Sequence, residues 1–355
     1  MATDIFSIEP KMCTENNFQR KKPLTIAKMT ENENGIQNEN KIHTKVKKWF
    51  NFKTELKWMN IAFLFLLHGG FLYALFNFNW LENWKTSIWF YVVGTLQAIG
   101  VNGGIHRFWT HRAYKAKWQL RVILLIFYCI AGMNNPFEWV RDHRVHHKYT
   151  DTDADPHNSN RGFFFSHVGW LMMKKHPEVI QKGSQIDMSD VMADPIFIFG
   201  CKYFLILNIV FAFLLPILIP VYAWNEIWSR AVMSQILRYV LSLNFAWSVN
   251  SAAHMFGSKP YNTEINPSEN RLVAFIAYGE GWHNYHHVFP WDYKAAELGD
   301  YKLNIVTMYI DLFAKIGWAY DLKQPSAELV KTVLRKKGDG SHWSIVSEAN
   351  NKTEQ

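Results

Sequence analysis

Four stretches of this chain are long and apolar enough to seek a membrane, and they constrain the fold more than any other feature. Between Lys57 and Glu82 lie 24 residues without a charge, including IAFLFLLHGGFLYALF. A helix needs about 20 residues to cross the ~30 Å hydrocarbon layer, so this run predicts a span near 58–79. A second uncharged run, 20 residues from Thr86 to Ile105, predicts a span at 86–105. The link between them carries only Glu82 and Lys85 as charges, so the pair reads as a helical hairpin. A third run, YFLILNIVFAFLLPILIPVYAWN, predicts a span near 203–224. Its two prolines kink a membrane helix without forbidding it. The fourth, 228–251, is the weakest, because Arg238 sits inside it. A central arginine costs about 2.5–3.5 kcal/mol on insertion scales unless it faces protein or snorkels. Its link to the third run is short, which makes a second hairpin.

Lysines gather just before the first run, at Lys41, Lys45, Lys47, Lys48, Lys53 and Lys57, which puts that side in the cytoplasm. The net charge of +8 fits that bias. Residues 1–45 read as a disordered cytosolic tail, most plainly over TENENGIQNENK, and 336–355 as a second tail. No secretory signal is visible, since no apolar core follows an early charged stretch. With three cysteines and no CxxC pair, neither a disulfide framework nor a thiolate zinc site is indicated. The apolar stretch Leu120–Met133 is too short to cross at ~1.5 Å per residue and reads as a helix on or dipping into the interface. With that segment kept from crossing, 106–200 and 252–335 fall on one side of the membrane.

That side holds the histidines. Nine of the 15 sit in three boxes and a satellite: His106 and His111 in HRFWTH, His143, His146 and His147 in HRVHH, His283, His286 and His287 in HNYHH, and His254. In each HxxHH box the outer pair is i, i+4 and shares one helix face, while the middle histidine is turned about 100° away. One box can therefore serve two ions. Imidazole is a neutral ligand suited to zinc, copper, iron and nickel. The bland reading, hydrogen-bonded core histidines, suits His68, His167, His43, His157, His176 and His342, but not two HxxHH boxes and an HxxxxH on one face.

These residues carry a resemblance. GGIHRFWTHRAYKA, EWVRDHRVHHKYTDTDADPHN, RGFFFSHVGWL, VNSAAH and GEGWHNYHHVFPWDYKAAE resemble membrane acyl-CoA desaturases of the stearoyl-CoA desaturase type, particularly those of insects, from about Lys53 to about Gly317. The resemblance implies an all-α membrane protein: four transmembrane helices in two hairpins, within a desaturase domain at 46–335, under a cytosolic helical cap holding a di-metal centre. It implies the endoplasmic reticulum membrane, with both termini cytosolic. It implies two iron ions, one held by His106, His111, His143, His147 and His286. The other would be held by His146, His254, His283 and His287, with Asn250 contributing through water.

The implied reaction sets a cis double bond into a saturated long-chain acyl-CoA, most simply at carbon 9, with carbon 11 or 12 as the alternative. Dioxygen becomes water, and electrons come from cytochrome b5 and its NADH-dependent reductase. An unactivated methylene lies beyond side-chain acid–base chemistry, so a metal centre is required. One methylene is worth only about 1–3 kcal/mol in an apolar pocket, so position must be measured from a fixed acyl-CoA head. By resemblance the head contacts are Asn60, Asn134, Arg141, Asp142, Lys174, Lys175 and Trp247. Arg141 and Asp142 have a second reading, as groups that orient imidazoles, and TDTDADP could accept imidazole N–H bonds or be a plain turn. Trp282 and the stretch Gly132–Pro136 depart from the family text, and both bear on tunnel length. No HPGG haem motif is present, so the electron donor is expected to be a separate protein.

Other classes fit less well. A di-iron hydroxylase shares the ligand types but not the flanks. A zinc hydrolase needs about three protein ligands, and a metal transporter places its ligands near mid-membrane. Nothing suggests nucleic acid as a partner.

Overall fold

The computed structural model describes residues 53–297, 301 and 303–347, so the tail expected over 1–45 lies outside the described residues. Helix α1, Trp58–Asn77, is apolar on all sides. Phe65, Leu66 and Phe76 are 78%, 72% and 83% exposed, a surface suited to lipid rather than water. Helix α2 runs Trp84–Thr110, and its last segment, Ile99–Thr110, winds as a π-helix. α3, Trp118–Ile130, and α4, Pro136–Lys148, follow. α5, Phe204–Trp224, has a π-wound middle at Ile209–Leu214. α6, Trp228–Asn250, packs against α1, α2 and α5.

Three helices, α1, α2 and α5, are long and apolar enough to cross a membrane. α6 has the length, 23 residues, but is more polar than the expected fourth span. The reason lies in its central place: it meets other helices along much of its surface. Arg238 is 1% exposed. Its guanidinium donates to Gln235 Oε1 at 3.0 Å, to the Ile130 and Ala212 carbonyls at 3.2 Å each, and to Gln97. It faces protein, the condition under which such an arginine is tolerated.

The Leu120–Met133 expectation needs revision in one respect. α3 is too short to cross, with 13 residues, but it does not lie flat with a free face. Leu120, Leu124, Tyr128 and Cys129 are buried against α2. The approach is backbone to backbone: a Cβ on Gly100 would stand 2.2 Å from the Phe127 and Tyr128 main chain. α4 starts where Asn135 accepts a bond from the Phe137 N–H and Pro136 takes the first helical position.

The remaining described helices that concern the site are α7, His283–Val288, α8, Ile305–Lys315, and α9, Ala327–Lys337. Strand β1, Lys115–Ala116, pairs antiparallel with β2, Ala319–Tyr320. In the described part of the segment expected as a tail at 336–355, α9 ends at Lys337 and His342 is buried, with Nε2 3.2 Å from Glu297.

Candidate metal centre

The first histidine box explains the π-helix. His106 and His111 are five residues apart, which on an α-helix separates them by about 140°. The π winding closes i→i+5 bonds, and the His111 N–H donates to the His106 carbonyl at 3.1 Å. Both rings therefore leave the end of α2 on one side, with centroids 4.8 Å apart. The second box lies on α4 and the third on α7, each with its i, i+4 pair on one face.

Two groups of imidazoles result. Nitrogens of His106, His111, His143, His147 and His286 lie within 4.8 Å of one another, and so do those of His146, His254, His283 and His287. Each HxxHH box splits its pair and its middle ring between the two groups. Asn250 is half-buried at the end of α6 and lines the adjoining cavity beside His283.

Carboxylates set the tautomers. His106 Nδ1–H donates to Glu280 at 2.9 Å, His146 Nδ1–H to Asp155 at 2.9 Å, and His254 Nδ1–H to Asp151 at 3.1 Å. Each leaves a bare Nε2 lone pair facing inward. The TDTDADP segment thus supplies two of these acceptors. Neighbouring Nε2 atoms stand 2.9 Å apart for His106–His286, 3.0 Å for His147–His286 and His254–His283, and 3.1 Å for His111–His143. Bare nitrogens so close repel unless a cation lies between them. At a metal–nitrogen bond of about 2.1 Å, ligands at right angles are about 3.0 Å apart and tetrahedral ones about 3.4 Å. The observed edges match the right-angle case. His146 Nε2 has no protein partner although it is buried. Burial first, then neighbouring imidazoles, hold His111, His143, His147, His283, His286 and His287 well below their ordinary pKa, so the neutral ligand form is favoured.

The arginines inside the first two boxes, which carried no expectation, hold the boxes in register. Arg107 donates to Glu280 at 2.7 Å, Thr307 at 2.9 Å, the Tyr293 carbonyl at 3.1 Å and Asn304 at 3.2 Å, tying box one to the third-box segment. Arg144 reaches the Trp109 carbonyl at 2.9 Å and both Asp190 oxygens at 2.8 Å, tying box two to box one. The repeated His-Arg dipeptide was the only signal. Glu280, inside the third-box text, was likewise given no role. His157, placed among the ordinary histidines, in fact sits near Asp155 and His146 as a third, smaller group. His68 and His167 are hydrogen-bonded as expected.

A cavity of about 360 Å³ adjoins the centre and reaches His106, His143 and His283. Its wall includes Trp139, stacked on His143 at 4.9 Å, and the aliphatic and aromatic side chains Phe63, Leu64, Met133 and Phe245. Of the expected head contacts, Asn134, Asp142 and Trp247 line it. Asn60 is buried behind the wall, donating to the Leu171 carbonyl at 2.9 Å. Arg141, at 3.0 Å, and Lys175 grip Asp142. Burial raises the Asp142 pKa, but Lys175 and Arg141 outweigh it and hold the carboxyl below its ordinary value. Its partners are thus cations rather than imidazoles. Lys174 pairs with Glu55 at 2.6 Å on the surface. Gly132, Met133 and Asn134 line the cavity as the departing stretch suggested, whereas Trp282 packs elsewhere, with Ala274, Ala296 and Leu303.

Helices long and apolar enough for a membrane, joined to nine buried or half-buried imidazoles in two groups that could each hold a metal ion, mark out the class of protein. The chain belongs to the fatty acid desaturase family, whose model matches residues 82–301. It is 52% identical over 292 residues to an acyl-CoA Delta-9 desaturase of Acheta domesticus, covering 82% of this chain and 81% of the relative. It is 49% identical to an acyl-CoA Delta12-desaturase of the same species, covering 82% of each. An acyl-CoA Delta(11) desaturase of Trichoplusia ni is 50% identical over 78% of this chain and 80% of its own length. The chain is accordingly an oxidoreductase of the acyl-CoA desaturase group.

Proposed function

We propose that the protein inserts a cis double bond at carbon 9 of a saturated long-chain acyl-CoA, using dioxygen and electrons from cytochrome b5 with its NADH-dependent reductase. The observation that carries the reading is the junction of two imidazole groups with one largely apolar cavity. The relatives named for positions 9, 11 and 12 lie within a few percent of one another in identity. Carbon 9 is preferred on the 52% relative, with 11 or 12 as the alternative.

One iron would be held by His106, His111, His143, His147 and His286, the other by His146, His254, His283 and His287 with Asn250 through water. The neutral nitrogen donor sets would suit redox-active iron. When bound, the irons supply the redox power to remove hydrogen from unactivated methylenes. The protein's own share is positional. Glu280, Asp155 and Asp151 fix three imidazoles. Trp139 and Met133 shape an apolar bed and keep water from the reacting methylenes. Asp142, held by Arg141 and Lys175, and Asn134 take polar groups of the acyl-CoA head at one end, with Asn60, Lys174 and Trp247 alongside. The spans would be α1, α2, α5 and α6 in two hairpins, in the endoplasmic reticulum membrane, with the cap and both termini in the cytosol.

The test is expression in a desaturase-deficient yeast, with mass-spectral location of the double bond. Monounsaturated acyl chains with the bond at carbon 9 are expected. A bond at carbon 11 or 12 would replace the positional assignment, and hydroxylated acyl chains would replace the reaction.

A further inference from the structure

Three polar side chains from distant segments form a hydrogen-bonded string beside the cavity. His68 on α1, Asn244 on α6 and His167, in the short helix Phe163–His167, are each partly buried. Main-chain carbonyls fix the directions around His68 and Asn244. His68 Nδ1 can only donate to the Leu64 carbonyl, at 2.8 Å. Its Nε2 is then an acceptor, met by the Asn244 amide N–H at 3.3 Å, while the other amide hydrogen goes to the Val240 carbonyl at 2.8 Å. The Asn244 oxygen is left to accept from His167 Nε2–H at 3.1 Å. His167 Nδ1 lies 2.9 Å from the Ser251 hydroxyl, whose own hydrogen also has the Trp247 carbonyl within reach at 3.1 Å. One amide thus bonds both imidazoles, each at its Nε2.

Those two rings flank Trp247. His68 stacks on the indole at 6.3 Å between centroids and 26° between planes, and His167 meets it edge-on at 5.9 Å and 83°. Trp247 is 6% exposed and lines the cavity. Its rotamer is therefore held by two imidazoles whose own positions depend on a third residue that is not in contact with the imidazole groups of the centre.

We infer that Asn244 is a positioning residue for acyl-CoA binding, acting through His68 and His167 to hold Trp247 against the substrate. The inference rests on the acyl-CoA reading above. The Asn244 amide is needed as donor and acceptor at once, so Asn244→Leu, with the same branching and number of side-chain heavy atoms, removes the string. In microsomes, Asn244→Leu is expected to raise KM for stearoyl-CoA at least fivefold with kcat within twofold of wild type and iron content unchanged. In a Trp247→Phe background the same change is expected to add less than twofold, because the residue being positioned is already altered. A fall in kcat at unchanged KM, an unchanged KM, or two effects that multiply independently would each overturn the inference. Loss of protein from the Asn244→Leu microsomes shifts the decision to His167→Phe, read by the same KM and kcat split. A wild-type chain inactive on stearoyl-CoA would instead refute the substrate reading itself.

Discussion

An imidazole lone pair 3 Å from another is repulsive until something positive stands between them, so the carboxylates that turn the lone pairs inward prepare the site for a metal ion. Asp155 shows this best: both its oxygens lie 2.9 Å from His146 Nδ1, and it also accepts from the Asp151 and His157 main chain. Asp155→Ala is expected to weaken iron retention about 10–100-fold, the usual cost of losing such an orienting partner. Iron per chain after graded chelation measures it, and full retention would refute the role. At the cavity wall, Gly132 has φ +66°, and a Cβ there would meet the Tyr239 ring at 2.6 Å. Gly132→Ala is therefore expected to displace Tyr239 and change the product profile, at a strain cost of about 1–3 kcal/mol. Trp282→Phe, removed from the cavity, is expected to leave chain-length preference as it is. Product analysis of the two variants side by side checks both statements.

At the scale of elements, the sequence showed which boxes share a face but not how the boxes find one another. The i, i+4 logic of HxxHH was legible because α4 and α7 are ordinary helices. HxxxxH was not, because its geometry depends on a π segment, and no periodicity argument distinguishes that from an α-helical end. Arg107 and Arg144 were illegible for a related reason: their partners Glu280, Asn304, Thr307 and Asp190 come from far along the chain. The packing of α3 on α2 was not legible, because a one-sided apolar helix of 13 residues looks the same beside lipid or beside protein; the close approach at Gly100 is visible only in three dimensions. The clamp has a measurable strength. Arg107 and Glu280 are 1% and 6% exposed in their side chains. Removing one partner of a buried pair costs roughly 3–5 kcal/mol. Arg107→Met should therefore lower the melting temperature of the detergent-purified protein sharply and release iron. A variant with unchanged melting and iron content would show that the boxes assemble without it.

On the scale of the whole molecule, charge-poor runs made three long apolar helices legible, whereas α6 carries Arg230 and Arg238 and is more polar. What accommodates Arg238 is a set of carbonyls and an amide of α2, α3 and α5 that no local pattern reveals. The same helices are fastened at the end away from the imidazoles. Arg230 donates to Glu82 at 3.0 Å and to Asn83 at 2.9 Å, and Thr86 donates to Glu226. The two hairpin tips are thus bonded together, so whatever side of the membrane one occupies, the other shares. Leu81, at 89% exposed, marks the tips, and Tyr320, at 48% exposed on β2, marks the cap. Single cysteines introduced as Leu81→Cys and Tyr320→Cys, in a background with the native cysteines replaced, test the arrangement in sealed microsomes. A membrane-impermeant maleimide is expected to label the Tyr320→Cys protein directly and the Leu81→Cys protein only after permeabilisation. Labelling of both positions in intact vesicles would mean that the hairpins do not cross. The cap and the tips would then share one aqueous side, and the apolar surface of α1 would need a partner other than the bilayer.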